Sequence, residues 1–200
     1  DMFYLPVSIL LFVLLLLVFP FVWFALTLDV VQIAVAKLGF SANAALFLFA
    51  AVMIGGTINI PLYKVESQVE VIDNFSDLWV RQFFGIPLPR VRQKTIVALN
   101  VGGGLIPVLV ALYQFRHANS LAIILVTAIV TIVSYYAAQV VPGIGIQMNP
   151  LLAPITAAIA SAFITRGIHA APVAFAGGVL GTLVGADILH LKEIQRMTPG

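Results

Sequence analysis

Long apolar runs separated by short polar breaks dominate this chain. A membrane-crossing helix needs about 20 mainly apolar residues, and six stretches approach that length: 3–26, 42–63, 96–115, 120–140, 151–166 and 171–191. The fifth is short and flanked by proline. The run from Ile9 to Leu26 exceeds a typical signal-peptide core and no small-residue cleavage site follows it, so it is expected to act as an anchor bent at Pro20. Between the first two stretches, "LDVVQIAVAKLG" has Asp29 early, Lys37 late, Gly39 to stop it and Ser41 to cap the next helix. That order of charges predicts a short interfacial helix.

The longest polar stretch, residues 64–95, is expected to be a cytoplasmic interfacial loop. Phe75, Leu78, Trp79 and Phe83 fall at helical spacing after Asp73 and Asn74, and Trp with Phe suits the headgroup zone. "GIPLPRVRQK" then breaks the helix and supplies Arg90, Arg92 and Lys94. A solvated connection with an interfacial anchor is preferred here over a gating lid.

Composition strengthens the membrane reading. Of 200 residues, 62% are hydrophobic and 9% charged, with a mean hydropathy of +1.10; a soluble domain is nearer one quarter charged. The net charge of +2 is spread between apolar runs, which argues against a nucleic-acid partner. There are no cysteines, so disulfides, thiolate metal sites and a cysteine nucleophile are all excluded. With six spans, one side receives Lys64, Arg81, Arg90, Arg92, Lys94, Lys192 and Arg196, and the other Lys37, Arg116 and Arg166. The positive-inside rule then predicts a multi-pass protein with both termini and the central loop in the cytoplasm.

That topology assigns the intramembrane polar residues to one side. Asn59, Asn100, Gln139, Asn149, Asp187 and His190 all fall in the cytoplasmic half, which points to a polar site open to the cytoplasm. Backbone signals agree. Gly102, Gly103 and Gly104 are consecutive, and "VVPGIGIQMNPLLAP", residues 140–154, holds three prolines and two glycines without a charge. Broken backbone at membrane depth occurs where it is buried in protein or lines a watery cavity; a tight buried turn between helices is the alternative.

The last stretch carries two further features. Gly177, Gly181 and Gly185 repeat every four residues, a small-residue stripe that permits close helix packing. On a regular helix Asp187 projects about 120° and His190 about 180° from that stripe. An ionisable residue at membrane depth marks a functional hypothesis. Asp187 also occupies the final turn, where the helix dipole disfavours an anion, so a cation or a proton is expected to accompany it, with His190 and Lys192 as local candidates.

Three function classes follow. The first is a small transporter or permeation protein, with Asp187 carrying charge, His190 orienting it, the asparagines acting as neutral ligands and Gly102, Gly103 and Gly104 allowing close backbone approach to an ion or small polar solute. The second is an intramembrane enzyme. "GAD" resembles the GxGD motif of presenilin-like aspartyl proteases, but Val184 and Ala186 stand where that motif has glycine, and no second span carboxylate completes a dyad. No serine nucleophile motif accompanies Ser134 or Ser161, and Asp187 with His190 lacks further transition-metal ligands. No catalytic residue, metal or cofactor is therefore assigned. The third is a structural or regulatory subunit packing through the glycine stripe.

The strings "INIPLYKV", "NVGGGLIPVLVALY", "VPGIGIQMNPLLAP" and "VGADILHLKEI" resemble an uncharacterised family of small polytopic prokaryotic membrane proteins, domain of unknown function 1614, from about Ser41 to Ile194. The resemblance implies a prokaryotic inner-membrane protein and carries over no catalytic role. The combined expectation is an all-α polytopic helix bundle in a lipid bilayer, with broken or re-entrant segments, acting as a homo-oligomer or within a membrane complex.

Overall fold

The computed structural model describes residues 7–70, 90–141 and 145–191. They fall into two compact units, 1–51 and 52–200, with the boundary inside the second helix.

In the first unit, α1 (Val7–Lys37) is one continuous helix with Pro20 inside it. The expected interfacial helix is its C-terminal continuation. No glycine or proline interrupts the chain after Pro20 until Gly39, and the Thr27 hydroxyl folds back onto the Trp23 carbonyl at 2.8 Å, satisfying itself within the helix. Gly39 takes a left-handed φ of 86°, which ends the helix. Ser41 Oγ then accepts from the Ala44 N–H at 3.3 Å, starting α2 (Ala42–Gly55).

The second unit begins in the last turn of α2. Here the apolar pattern misleads: the stretch expected as helix to residue 63 leaves helix at Gly55, and residues 96–100 are extended. Gly55 and Gly56 weaken the helix, Pro61 cannot continue it, and the β-branched Thr57, Ile58 and Ile60 favour extended backbone. β1 (Asn59–Glu70) pairs antiparallel with β2 (Arg90–Asn100), from Asn59 opposite Asn100 to Glu70 opposite Arg90, with a bulge between Pro61 and Tyr63. The register sets Glu66 opposite Lys94. Both ends of the expected loop are thus strand, while the helix expected around Phe75–Phe83 lies outside the described residues.

After β2 come a π-helical segment π1 (Val101–Leu105), α3 (Ile106–Gln114) and α4 (Ser120–Ala137). The broken stretch after α4 contains a second hairpin, β3 (Gln139–Val141) with β4 (Gly145–Gln147). Then follow α5 (Leu152–Thr165), α6 (Ala170–Thr182) and a second π-helical segment π2 (Leu183–Ile188). The architecture is a helical bundle carrying two β-hairpins.

Among the described residues, three helical segments are long and apolar enough to cross a membrane: Ser8–Lys37, Ser120–Ala137 and Ala170–Ile188. Ala42–Gly55, Val101–Gln114 and Leu152–Thr165 are apolar but shorter, about 21 Å each at 1.5 Å per residue. Each of these lies next to a hairpin in the chain.

α6 is the centre of the second unit, packing against α3, α4 and α5. The core is built of small residues: Ala111, Ala122, Ala153, Ala157 and Ala176 are buried with Ile123, Val126, Val130 and Val173. Small side chains let helix backbones approach, which is how helices associate when the surroundings are as apolar as the core. The glycine stripe lies against α4: a Cβ on Gly177 would fall 2.7 Å from Val126 Cβ, one on Gly181 2.6 Å from Val130 Cβ, and one on Gly185 3.0 Å from Thr131 Cα.

Candidate functional site

The site begins where helix gives way to strand at the foot of the first hairpin. Asn100 is the last residue of β2 and the cap of π1. Its Oδ1 accepts from the Gly103 N–H at 2.6 Å, and its Nδ2 donates to the Gly56 carbonyl at 2.8 Å and to Asn59 Oδ1 at 3.0 Å. Asn59 and Asn100 therefore meet, joining α2, the hairpin and π1. Gly102 is buried at this junction, and a Cβ there would overlap the Val52 carbonyl oxygen and the Gly56 nitrogen. Backbone lies on backbone, and only glycine fits.

On the other side stands π2. Its Leu189 N–H bonds the Val184 carbonyl, five residues back, the spacing that defines π geometry and inserts one extra residue into the turn. The consequence is a change of face. On a regular helix His190 lies opposite the glycine stripe; across π2 it sits nearly above Gly185. His190 is buried, its Nδ1 lies 3.0 Å from the Gly185 carbonyl, and its ring rests 4.9 Å from that of Tyr135 on α4. Asp187 is turned elsewhere and is exposed; it makes no hydrogen bond or ion pair with any described residue.

Between π1 and π2 lies a partly open cavity of about 1170 Å³, whose lining includes Asn100, Gly103, Gly104, Thr182 and Asp187. The rest of the wall is mainly apolar, from Ile96, Pro107, Ala157, Phe175 and Val179 among others. Asn100 has its amide occupied at the hairpin foot, and the Thr182 hydroxyl donates to the Gly178 carbonyl at 2.7 Å. Asp187 is the one ionisable group among the described lining residues.

The sequence-selected residues thus divide. Asn100, Gly103, Gly104 and Asp187 share the cavity. Asn59 supports it through Asn100, and Gly102 supports it through the α2 junction. Asn149 and Gln139 line a neighbouring pocket of about 600 Å³, with Ile146 in the wall of both. Asn149 Oδ1 accepts from the Leu151 N–H at 3.0 Å, a helix-start role at α5. His190 is absent from the cavity lining and contacts α4 instead. Phe175 and Thr182, which line the cavity, carry no sequence signal beyond their place in the last apolar run. Gln114 and Ser134 are fully buried with side-chain polar atoms that lack a partner among the described residues. Among the described residues no group of three His, Asp or Glu side chains is placed to hold a metal.

A protein-family model described as Protein of unknown function (DUF1614) matches residues 53–200, a range that covers the cavity and nearly all of the second unit. No curated protein and no solved structure matches the chain.

Proposed function

The chain belongs to the DUF1614 family of proteins of unknown function, and from its site we propose an integral membrane protein that binds a small solute beside Asp187 and passes it across the bilayer. One observation carries this reading: two π-helical segments from distant parts of the chain wall one cavity, and the only ionisable group among its described lining residues is the Asp187 carboxylate. Single-turn π segments concentrate at functional sites, and a carboxylate at membrane depth is retained at a cost of a few kcal/mol. Broken helices are also the way transporters build solute sites.

With six crossing segments, the seven-to-three distribution of Lys and Arg supports cytoplasmic termini. Asp187 is the charge-bearing group of the site, while Asn59 and Asn100 hold its wall. His190 and Asn149 serve the scaffold. Flux in proteoliposomes tests the reading, with native chain and Asp187→Asn compared under imposed proton and sodium gradients. Solute flux lost in a folded Asp187→Asn protein supports permeation through this cavity. Equal flux through both proteins removes Asp187 from the pathway.

A further inference from the structure

The chemistry of the wall narrows what can occupy it. A bare metal cation needs several oxygen ligands to replace its water, and the described lining has only one free carboxylate. The Asn100 amide is committed to Gly56, Asn59 and Gly103, and the Thr182 hydroxyl, whose proton goes to Gly178, adds one neutral oxygen, which with a single carboxylate falls short of the set a bare cation needs. A strongly polar neutral solute fares no better, since its remaining donors and acceptors would lie unpaired against Ile96, Pro107, Ala157, Phe175 and Val179. An anion meets Asp187 directly. What remains is a molecule with one positive charge and a large apolar body, which pairs the carboxylate and removes apolar surface from water at the same time.

We propose that the cavity takes an amphiphilic cation, a single ammonium on an alkyl or aryl body, with the ammonium against the Asp187 carboxylate and the body along the apolar wall between π1 and π2. The inference deepens the permeation reading and rests on it for the cavity's role. A lipid with an amine headgroup and a free hydrophobic amine present the same chemistry. The volume of about 1170 Å³ lies just above the range for pockets that enclose drug-sized molecules, so the headgroup and first methylenes of a lipid, or a whole short amphiphile, have room.

The test is equilibrium binding of octyltrimethylammonium to the full chain in nanodiscs, measured against empty nanodiscs of the same lipid. Native protein is expected to bind saturably, Asp187→Asn at least tenfold more weakly, and Asp187→Glu close to native. Octanol, which has the tail without the charge, is expected to bind all three equally. Octanesulfonate, with the opposite charge, is expected not to compete on the native protein, a readout that needs no variant to fold. Equal competition by octanesulfonate, no saturable binding to native protein, or an affinity unchanged in Asp187→Asn overturns the proposal. Nanodiscs of phosphatidylethanolamine against phosphatidylglycerol separate the sources: weaker ammonium binding in the former assigns the site to a lipid headgroup, and equal binding assigns it to a free amphiphile. Binding without flux overturns permeation and leaves the ligand class standing. Asp187-dependent flux of another solute without ammonium binding does the reverse.

Discussion

Adding one methyl group to α6 tests the helix packing that frames the cavity, because neighbouring glycines face different surroundings. At Gly181 an alanine Cβ would lie 2.6 Å from Val130 Cβ and 2.8 Å from the Thr127 carbonyl oxygen. Carbon atoms rest at about 3.5–4.0 Å, so α4 and α6 must part by about 1 Å, and both the backbone and a stiff β-branched side chain oppose the shift. Overpacking of this kind costs about 1–3 kcal/mol, which raises the unfolded fraction by roughly 5- to 150-fold at about 1.4 kcal/mol per decade. At Gly178, three residues earlier on the same helix, the nearest atom to an added Cβ is Ala157 Cβ at 3.2 Å. A few tenths of an ångström of adjustment absorbs that, and alanine recovers about 0.5–1 kcal/mol of helix propensity. Gly181→Ala and Gly178→Ala are therefore expected to differ in sign or by at least about 1 kcal/mol in reversible unfolding from lipid–detergent micelles. Equal stabilities would refute the close α4–α6 contact.

Other outcomes follow from the same geometry. Gly102→Ala sets a methyl group onto the Val52 carbonyl and the Gly56 nitrogen, and is expected to lose folded monodisperse protein in size-exclusion chromatography. Asn100→Ala removes bonds to Gly56, Asn59 and Gly103, at about 0.5–1.5 kcal/mol each, so a loss of about 2–4 kcal/mol is expected in the same unfolding assay. Asn149→Ala removes one bond to the Leu151 N–H, and is expected to cost about 1 kcal/mol without changing octyltrimethylammonium affinity. His190→Phe keeps a ring against Tyr135 but leaves the Gly185 carbonyl without its imidazole partner, at about 1–3 kcal/mol; calorimetry is expected to show lower stability with ligand affinity retained.

Much of the helical content is legible as apolar runs, since α4, α5 and α6 follow the runs from Ser120, Leu151 and Ala171 within a few residues. The first hairpin is hidden by the same signal. "INIPLY" and "TIVALN" extend apolar runs and so read as span ends, while their β-branched residues register only once the two segments pair. Asn59 and Asn100, expected at the ends of two spans, meet instead at the foot of the first hairpin, and Asn100 and Asp187 share the wall of one cavity. The separate fates of Asn149 and His190 are not legible in the sequence. Asn149 is taken by its own local turn, and His190 changes face because π2 adds a residue to the helix. Such a π segment is decided by packing against α4, and no local spacing announces it.

The absence of cysteine allows a direct test of a water-reachable cavity that holds a solute. A single cysteine replaces Thr182, which lines the cavity, and in a second protein replaces Ile129, an exposed apolar residue of α4. Both are reconstituted in liposomes and treated with a water-soluble, membrane-impermeant thiol reagent, with and without octyltrimethylammonium. Thr182→Cys is expected to be labelled, the ammonium to slow its labelling, Asp187→Asn to abolish this protection, and Ile129→Cys to stay unlabelled in lipid. Labelling of Thr182→Cys at the same rate with and without the ammonium, or no labelling there at all, would contradict such a cavity.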